Sequence, residues 1–234
     1  MRVPVRIKAI RVETPTVKSY TLDLEGRGFS FHPGQWVDCY VDPEGKRGVA
    51  GYTLTSSPTT GGTIELTVKR SLDREVTRYM HEEAEVGDVI YLDGGQGDFY
   101  YQREMGGSLT LLAGGIGITP LMSILRYVDD GTTDVKAKLF YSARAPSEIV
   151  FYRELKEIAL RNERIACVFT VTQPGEEPWA GHTGRIDGKL LQEEGADLGG
   201  IFFICGPKPM GQDMTEMLVG LGVAESRIRY EQWW

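Results

Sequence analysis

The sequence predicts two domains of different class: an antiparallel β-barrel, then a doubly wound α/β domain with a parallel sheet. The first hundred residues contain short β-rich segments separated by Gly, Pro, Asp and Ser. After about Gly106, apolar segments alternate with amphipathic ones, the pattern of βαβ units. We expect the barrel over residues 1–102, a polar joint within 100–108, and the α/β domain over 106–234.

Six segments of the first half are predicted strands, and their short length and frequent turn residues are typical of a small barrel. They are VPVRIKAIRVET, VKSYTLDLEG, GQWVDCYVDP, GYTLTSSP, GTIELTVKRS and GDVIYLDGGQGDFY, with a helix predicted near REVTRYMHEEA. In the second half the predicted strands are SLTLLAGG, AKLFYSA, RIACVFTVT and GIFFICGP, separated by helical segments and closed by RIRYEQWW.

Composition excludes several classes of function. The net charge is −7, from 26 Lys and Arg against 33 Asp and Glu, and no basic stripe of the kind used by nucleic-acid binders is visible. The three cysteines are far apart, which predicts neither a disulfide framework nor a metal site. Without a signal-like start or an apolar run long enough to span a membrane, we expect a cytoplasmic protein.

The segment LLAGGIGITPLMSIL joins a predicted strand to a predicted helix through Gly114, Gly115 and Gly117. Thr119 is the expected N-cap, and Pro120 suits the first helical turn. Glycines before a helix let backbone amides approach an anion such as a pyrophosphate. A purely structural βα turn explains these residues equally well.

The segment FFICGPKPMGQDM ends a second apolar strand, which puts Cys205 at the carboxyl edge of the sheet. That edge is where doubly wound folds bind ligands. Taken alone, Cys205 is more simply a small buried residue. Because both glycine turns fall at the same edge, together they favour a ligand crevice.

Six motifs, in order along the chain, resemble those of the ferredoxin–NADP reductase superfamily: FHPGQWVDCYV, GYTLTSSP, LTVKR with EVTRYM, GDVIYLDGGQGDF, AGGIGITPLMSIL and ICGPKPM. The resemblance covers nearly the whole chain. It implies an NAD(P)H-dependent oxidoreductase that passes hydride to FAD, with FMN less favoured, and then electrons to a separate acceptor.

The resemblance also implies which residues bind the flavin. Tyr52 and Thr53 would lie along it, the Val68 backbone near its ring, and Lys69 and the Thr77 helix near its phosphates. The full set of expected flavin contacts is Tyr52, Thr53, Leu54, Thr55, Ser56, Val68, Lys69, Arg70, Val76 and Thr77.

Two departures from the family pattern concern the flavin. The motif arginine falls at Ala50, and the segment DREVT stands where glycines are expected before Thr77. The candidate replacements for the missing cation are Arg47, Lys69, Arg70 and Arg78. An alternative is a nucleotide-binding or electron-transfer subunit whose flavin site is weakened or lost.

For the nicotinamide nucleotide, the implied contacts are Gly114, Gly115, Gly117, Ile118, Thr119, Pro120, Ser142, Arg144, Cys205, Gly206, Pro207 and Met210. A 2′-phosphate requires arginines, and Gln173 is uncharged while Arg144 and Arg185 flank it. This favours NADH slightly and leaves NADPH open. The alternative is that both arginines lie in solvent-exposed loops and pair with nearby glutamates.

The expected catalytic group consists of Cys205 beside the nicotinamide, Glu231 as a ring-orienting or proton-relay carboxylate, and Trp234. A surface carboxylate after the last strand explains Glu231 equally well. Trp233 or Trp234 would cover the flavin, or both would pack structurally. No cysteine cluster follows Trp234, so no fused iron–sulfur domain is expected, and the acceptor is a separate redox protein or small molecule. No metal is expected.

Overall fold

The computed structural model describes residues 2–71 and 73–232, which divide into two compact units. The first comprises Met1–Tyr101 with the short segment Met122–Tyr127, and the second comprises Gln102–Leu121 with Val128–Trp234. One unit contains an antiparallel sheet and the other a parallel sheet. The predicted fold class is therefore confirmed.

The antiparallel sheet of the first unit has the strand order β4-β3-β6-β1-β2-β5. Its elements are β1 (Val3–Thr14), β2 (Val17–Asp23), β3 (Trp36–Tyr40), β4 (Ala50–Thr53), β5 (Thr63–Lys69), helix α1 (Glu75–Glu82) and β6 (Val89–Gln96). Directly after β4, Leu54 forms an antiparallel bridge with Leu66 of β5. The two edge strands of the sheet therefore meet, which closes the barrel.

Strand β5 is buried on both faces. Because side chains alternate along a strand, Ile64, Leu66 and Val68 share one face and lie in the apolar core of the barrel. Glu65 and Thr67 face the other way and are still only 8% and 4% exposed. Buried polar side chains need hydrogen-bond partners, so the segment that covers this second face has to supply them.

The parallel sheet of the second unit has the order β10-β9-β8-β7-β11-β12. Its elements are β7 (Ser108–Gly114), α2 (Ile118–Gly131, of which Met122–Tyr127 belongs to the first unit), β8 (Lys136–Ala143), α3 (Tyr152–Arg161), β9 (Ile165–Val171), β10 (His182–Thr183), α4 (Gly188–Glu193), β11 (Ile201–Gly206), α5 (Lys208–Gly220) and β12 (Ile228–Gln232). The strand order reverses between β7 and β11. In doubly wound folds, this switch point is where ligands bind, at the carboxyl ends of the strands.

Candidate functional site

The glycine turn after β7 and the end of β11 pack against each other at the switch point. A Cβ atom on Gly117 would lie only 2.2 Å from the carbonyl oxygen of Cys205. A Cβ atom on Gly114 would lie 2.5 Å from the Met210 sulfur and 3.0 Å from Pro207 Cδ. The structure thus brings together the two predicted nicotinamide segments, and their contact leaves no space for side chains at these glycines.

Gly115 has a different role in the same turn. Its φ of +54° lies in the left-handed region, and a Cβ atom added there would meet no other atom within 4 Å, so this backbone borders open space. The buried Tyr141 hydroxyl donates to the Gly115 carbonyl at 3.0 Å and accepts the Val150 N–H at 3.2 Å. Tyr141, which lies on β8, therefore fixes the position of the glycine turn, a role that the sequence did not predict.

The N-cap prediction for Thr119 is wrong. A 3₁₀ turn, Gly115–Gly117, runs directly into α2, so the helix begins at Ile118 and its N-cap is Gly117. The buried Thr119 hydroxyl donates to the Ile116 carbonyl at 3.0 Å and caps no amide. Pro120 does lie in the first turn, as predicted. The helix thus begins without a side-chain cap.

Cys205 and Glu231 lie side by side, because β11 and β12 are parallel neighbours in which these two residues are paired. Cys205 is fully buried, and this burial, followed by the nearby Glu231 carboxylate, raises the pKa of its thiol well above the usual range. The thiol is therefore protonated and unsuited to be a nucleophile. Glu231 is partly exposed, whereas Trp233 and Trp234 lie outside the described residues.

A cavity of about 740 Å³ lies beside the ends of β8 and β9 in the second unit. Arg144 and Gln173 border it, together with three carboxylates, those of Glu148, Glu176 and Glu177. Arg144 is exposed and its guanidinium contacts the Glu148 carboxylate at 2.7 Å and 2.9 Å. The positive charge of Arg144 is thus already paired with a carboxylate, as the alternative interpretation of this residue supposes.

The other two residues predicted for this part of the nucleotide site lie on or just after neighbouring strands. Ser142 is half-buried near the carboxyl end of β8, where it pairs with Gly114 of β7 and Thr170 of β9. Arg185 is exposed just after β10. Ser142 is therefore level with the glycine turn, at the edge where the strands end.

In the first unit, Tyr52 on β4 and Thr77 in the first turn of α1 share a hydrogen bond of 2.8 Å between their hydroxyls. Burial raises the pKa of Tyr52, and the Thr77 hydrogen bond and the positive charge of Arg74 oppose that rise. The phenol is therefore neutral. Thr53 is buried beside Tyr52 at the end of β4.

Several residues predicted to contact the flavin are buried in the protein. The side chains of Leu54, Val68 and Val76 belong to the barrel core. The Val68 carbonyl accepts a hydrogen bond from the His81 ring at 2.9 Å. Thr55 and Ser56 are also buried, and their hydroxyls bond to Glu65. These five side chains are thus engaged in the packing and hydrogen bonds of the protein itself.

The cations around α1 differ in their availability. Arg47 pairs with Glu75 at 2.8 Å and Glu83 at 3.0 Å, and Arg70 pairs with Glu82 at 3.4 Å. Ala50 is buried and supplies no charge. Across residues 2–71 and 73–232, no ion pair engages Lys69, Arg78 or Arg74, all of which are exposed.

The donor set at α1 fits a pyrophosphate. The helix begins after Arg74, whose side chain forms no capping hydrogen bond, so within the described residues its first amides lack a side-chain cap. Arg74 itself, adjacent to these amides, supplies a cation of the kind that pairs with phosphate. Free helix amides with a nearby guanidinium are a common phosphate-binding arrangement. The residues present are therefore compatible with FAD in spite of Ala50.

Neither a metal cluster nor a membrane-spanning helix occurs in the described part of the chain. It contains no group of three or more His, Cys, Asp or Glu side chains arranged to hold a metal ion. Its helices include none with both the length and the apolar character needed to cross a membrane.

Comparison with known families matches both units. Residues 4–101 match the Oxidoreductase FAD-binding domain, and residues 111–216 match the Oxidoreductase NAD-binding domain. These matches confirm the predicted cofactors, FAD and NAD(P)H.

Two curated relatives represent the sequence similarity. The chain is 32% identical to oxidoreductase NAD-binding domain-containing protein 1 of Xenopus laevis, over 99% of this chain and 79% of that protein. It is 34% identical to the glycine betaine monooxygenase reductase subunit of Chromohalobacter salexigens, over 87% of this chain. The matched region spans 56% of the length of that subunit.

Solved structures agree with this assignment. The flavohem-like FAD/NAD-binding domain of the Vibrio cholerae nitric oxide dioxygenase superposes with a TM-score of 0.84 at 25% identity, covering 98% of each chain. The ferredoxin reductase in carbazole 1,9a-dioxygenase shares the fold, with a TM-score of 0.86 at 24% identity, over 100% of this chain and 70% of that one. The chain belongs to the ferredoxin–NADP reductase superfamily and combines an oxidoreductase FAD-binding domain with an oxidoreductase NAD-binding domain.

Proposed function

We propose that this protein transfers hydride from NADH to bound FAD and passes the electrons to a separate acceptor. Residues 1–102 bind the flavin and residues 106–234 bind the nicotinamide nucleotide. The observation that supports this most directly is the packing of the glycine turn against the end of β11, with a Gly117 Cβ position 2.2 Å from the Cys205 carbonyl. Such close backbone packing at a switch point is suited to a nucleotide.

For the flavin, we assign contact to the Tyr52 ring and the amides at the start of α1, and support to Thr55 and Ser56. The Tyr52–Thr77 hydrogen bond fixes the phenol, so that the ring can pack along a planar cofactor. Arg74 replaces the cation that Ala50 lacks and binds a phosphate together with the first-turn amides. FAD suits this assignment better than FMN because its pyrophosphate offers two phosphate groups, one for the first-turn amides and one for Arg74.

For the nicotinamide, the uncapped start of α2 and the open backbone at Gly115 bind the nucleotide phosphates. The backbone at the end of β11 borders the ring, the neutral Cys205 thiol is buried behind it and does not react, and Glu231 beside it orients the carboxamide. Bound FAD supplies the hydride acceptor, and the contribution of the protein is to position both nucleotides and exclude water.

NADH is favoured over NADPH by the charge of the cavity at the ends of β8 and β9. Its three carboxylates repel a 2′-phosphate, while its one bordering arginine already contacts Glu148. A carboxylate at this place in a doubly wound fold is suited to hydrogen-bond a ribose hydroxyl. We therefore expect kcat/KM for NADH to exceed that for NADPH by at least about tenfold, or about 1.4 kcal/mol.

The acceptor we propose is a separate redox protein. One relative is named as the reductase subunit of a monooxygenase, and a structural neighbour is the ferredoxin reductase in a dioxygenase. A role as the reductase subunit of such a complex is the second candidate, and copurification with a redox partner would favour it.

Anaerobic titration of the purified protein tests the proposal. NADH should bleach the visible absorbance of the flavin stoichiometrically, and NADPH should do so more slowly. A colourless protein that takes up neither FAD nor FMN would instead support a nucleotide-binding subunit that has lost its flavin.

A further inference from the structure

Glu65 is a buried carboxylate on the face of β5 that points away from the barrel core. Its side chain is 11% exposed and that of Arg126, on α2, is 14% exposed. The Arg126 Nη1 donates to Glu65 Oε1 at 2.7 Å, and the Thr55 hydroxyl donates to the same oxygen at 2.9 Å. An ion pair this buried is retained only where further hydrogen bonds satisfy its members.

Thr55 supplies those further hydrogen bonds. Its carbonyl accepts from Arg126 Nη1 at 2.9 Å, and its N–H donates to the Glu65 carbonyl at 2.8 Å. The backbone N–H, the backbone carbonyl and the hydroxyl of Thr55 therefore all bond to one or the other member of the ion pair. Thr55 cannot move without breaking hydrogen bonds to buried charged groups.

The next residue, Ser56, is held in the same way. Its hydroxyl accepts the Glu65 N–H at 3.0 Å, and its carbonyl accepts from the Ser123 hydroxyl at 2.8 Å. Ser123 and Arg126 are three residues apart on α2, so they lie on one face of that helix. One helix face and one strand residue thus hold two consecutive residues, both buried, just after Tyr52 and Thr53.

We propose that Glu65 and Arg126 are positioning residues for FAD, which hold residues 54–57, here named the 54–57 loop, in the conformation that binds the flavin. The inference depends on the proposed function, which puts the cofactor along Tyr52 and this loop. Neither side chain touches the flavin: both act through Thr55. Ser123, an uncharged side chain, donates a further hydrogen bond to the same loop.

The test compares FAD binding by the apoproteins of Arg126→Gln, Glu65→Gln and the double variant, by fluorescence titration with FAD. We expect each single substitution to raise the FAD Kd about tenfold. The double variant should bind no more weakly than the weaker single variant, because either single substitution already breaks the Glu65–Arg126 ion pair and leaves one charge of it buried, whereas the double variant leaves neither. The visible circular dichroism of bound FAD should also change in shape, which a loss of global stability alone would not produce.

Asp129→Asn provides a matched control. Asp129 is also on α2, its side chain is 8% exposed, and it pairs with Arg161 and accepts from Asn162 at 2.9 Å, away from the 54–57 loop. This variant should lower the melting temperature of the apoprotein and change the FAD Kd by less than about twofold. Ser123→Ala keeps both charges, and we expect it to fold and to weaken FAD binding about threefold.

The outcomes separate the two proposals. If the wild-type protein binds no FAD, the proposed function fails. The inference is refuted if the wild-type protein binds FAD and both Arg126→Gln and Ser123→Ala bind FAD as tightly as Asp129→Asn does, with an unchanged dichroism spectrum. The Glu65–Arg126 ion pair is then purely structural. Should Arg126→Gln fail to fold, the Ser123→Ala result decides alone.

Discussion

Replacing Gly117 with alanine should separate the two backbone segments that we assign to the nicotinamide. The φ of Gly117 is −61°, which any residue adopts, so alanine introduces no backbone strain. The added methyl would lie 2.2 Å from the Cys205 carbonyl oxygen and 2.7 Å from the Gly206 nitrogen. Both neighbours are backbone atoms, so no side-chain rotation can make room.

The size of the effect follows from these distances. Ordinary contact with a Cβ atom begins near 3.4 Å, so the glycine turn and the end of β11 have to separate by about 1 Å. Overpacking of this kind costs about 1–3 kcal/mol of stability. A misplacement of about 1 Å at a hydride-transfer site lowers the rate about 100-fold. We therefore expect kcat/KM for NADH to fall by about that factor.

The assay is steady-state reduction of an artificial electron acceptor by NADH, with FAD affinity measured in parallel. Gly220→Ala is the control, because Gly220 ends helix α5 in open space and an alanine there should stabilise slightly. FAD affinity should be unchanged in both variants. If folded Gly117→Ala retains the wild-type kcat/KM for NADH, the close packing at Gly117 does not position the nicotinamide.

Three further predictions concern other groups. Arg74→Ala should raise the Kd for FAD about tenfold, and that for FMN less, because a charge-assisted bond to the pyrophosphate is lost; paired fluorescence titrations measure both. Glu148→Gln with Glu177→Gln should raise kcat/KM for NADPH several-fold and leave that for NADH nearly unchanged, since like-charge repulsion at the cavity is removed. Burial raises the pKa of the Cys39 thiol to about 12 from the usual 9.0. In the unfolded chain this thiol therefore loses its proton at a lower pH than it does in the folded protein. The free energy of unfolding should fall as the pH rises from 9 towards 12. Cys39→Ala should reduce the corresponding decline in melting temperature.

The fold could be predicted because its determinants are local. Period-2 alternation in VPVRIKAIRVET yields β1 over Val3–Thr14, and an apolar run into glycines yields β7 over Ser108–Gly114. The start of α2 was harder to predict. Thr119 and Pro120 indicate a helix start at that point, but the preceding 3₁₀ turn lets the helix begin at Ile118.

The groups that hold the predicted site together were missed because their partners are distant in sequence. Arg126 is 61 residues from Glu65, and Tyr141 is 26 residues from Gly115. Nothing in TPLMSILRYV identifies the acceptor of Arg126, since an arginine on an amphipathic helix usually lies in solvent. The clearest available signal was Glu65 itself, a carboxylate inside the otherwise apolar and Thr-rich strand TIELTVK.

That signal has a physical interpretation that applies to the site as a whole. A carboxylate in a strand buried on both faces costs free energy unless it is fully bonded, so its partners must be fixed in place. Here Arg126 and Thr55 bond one carboxylate oxygen and Arg11 bonds the other at 3.4 Å, and Thr55 lies in the segment that the family resemblance assigns to the flavin. Because its hydroxyl is committed to Glu65, that side chain serves the site by holding the backbone. In our proposal the motif residue Tyr52 contacts the flavin whereas the motif residue Thr55 holds the loop, and the hydrogen bonds of the folded chain distinguish these two roles.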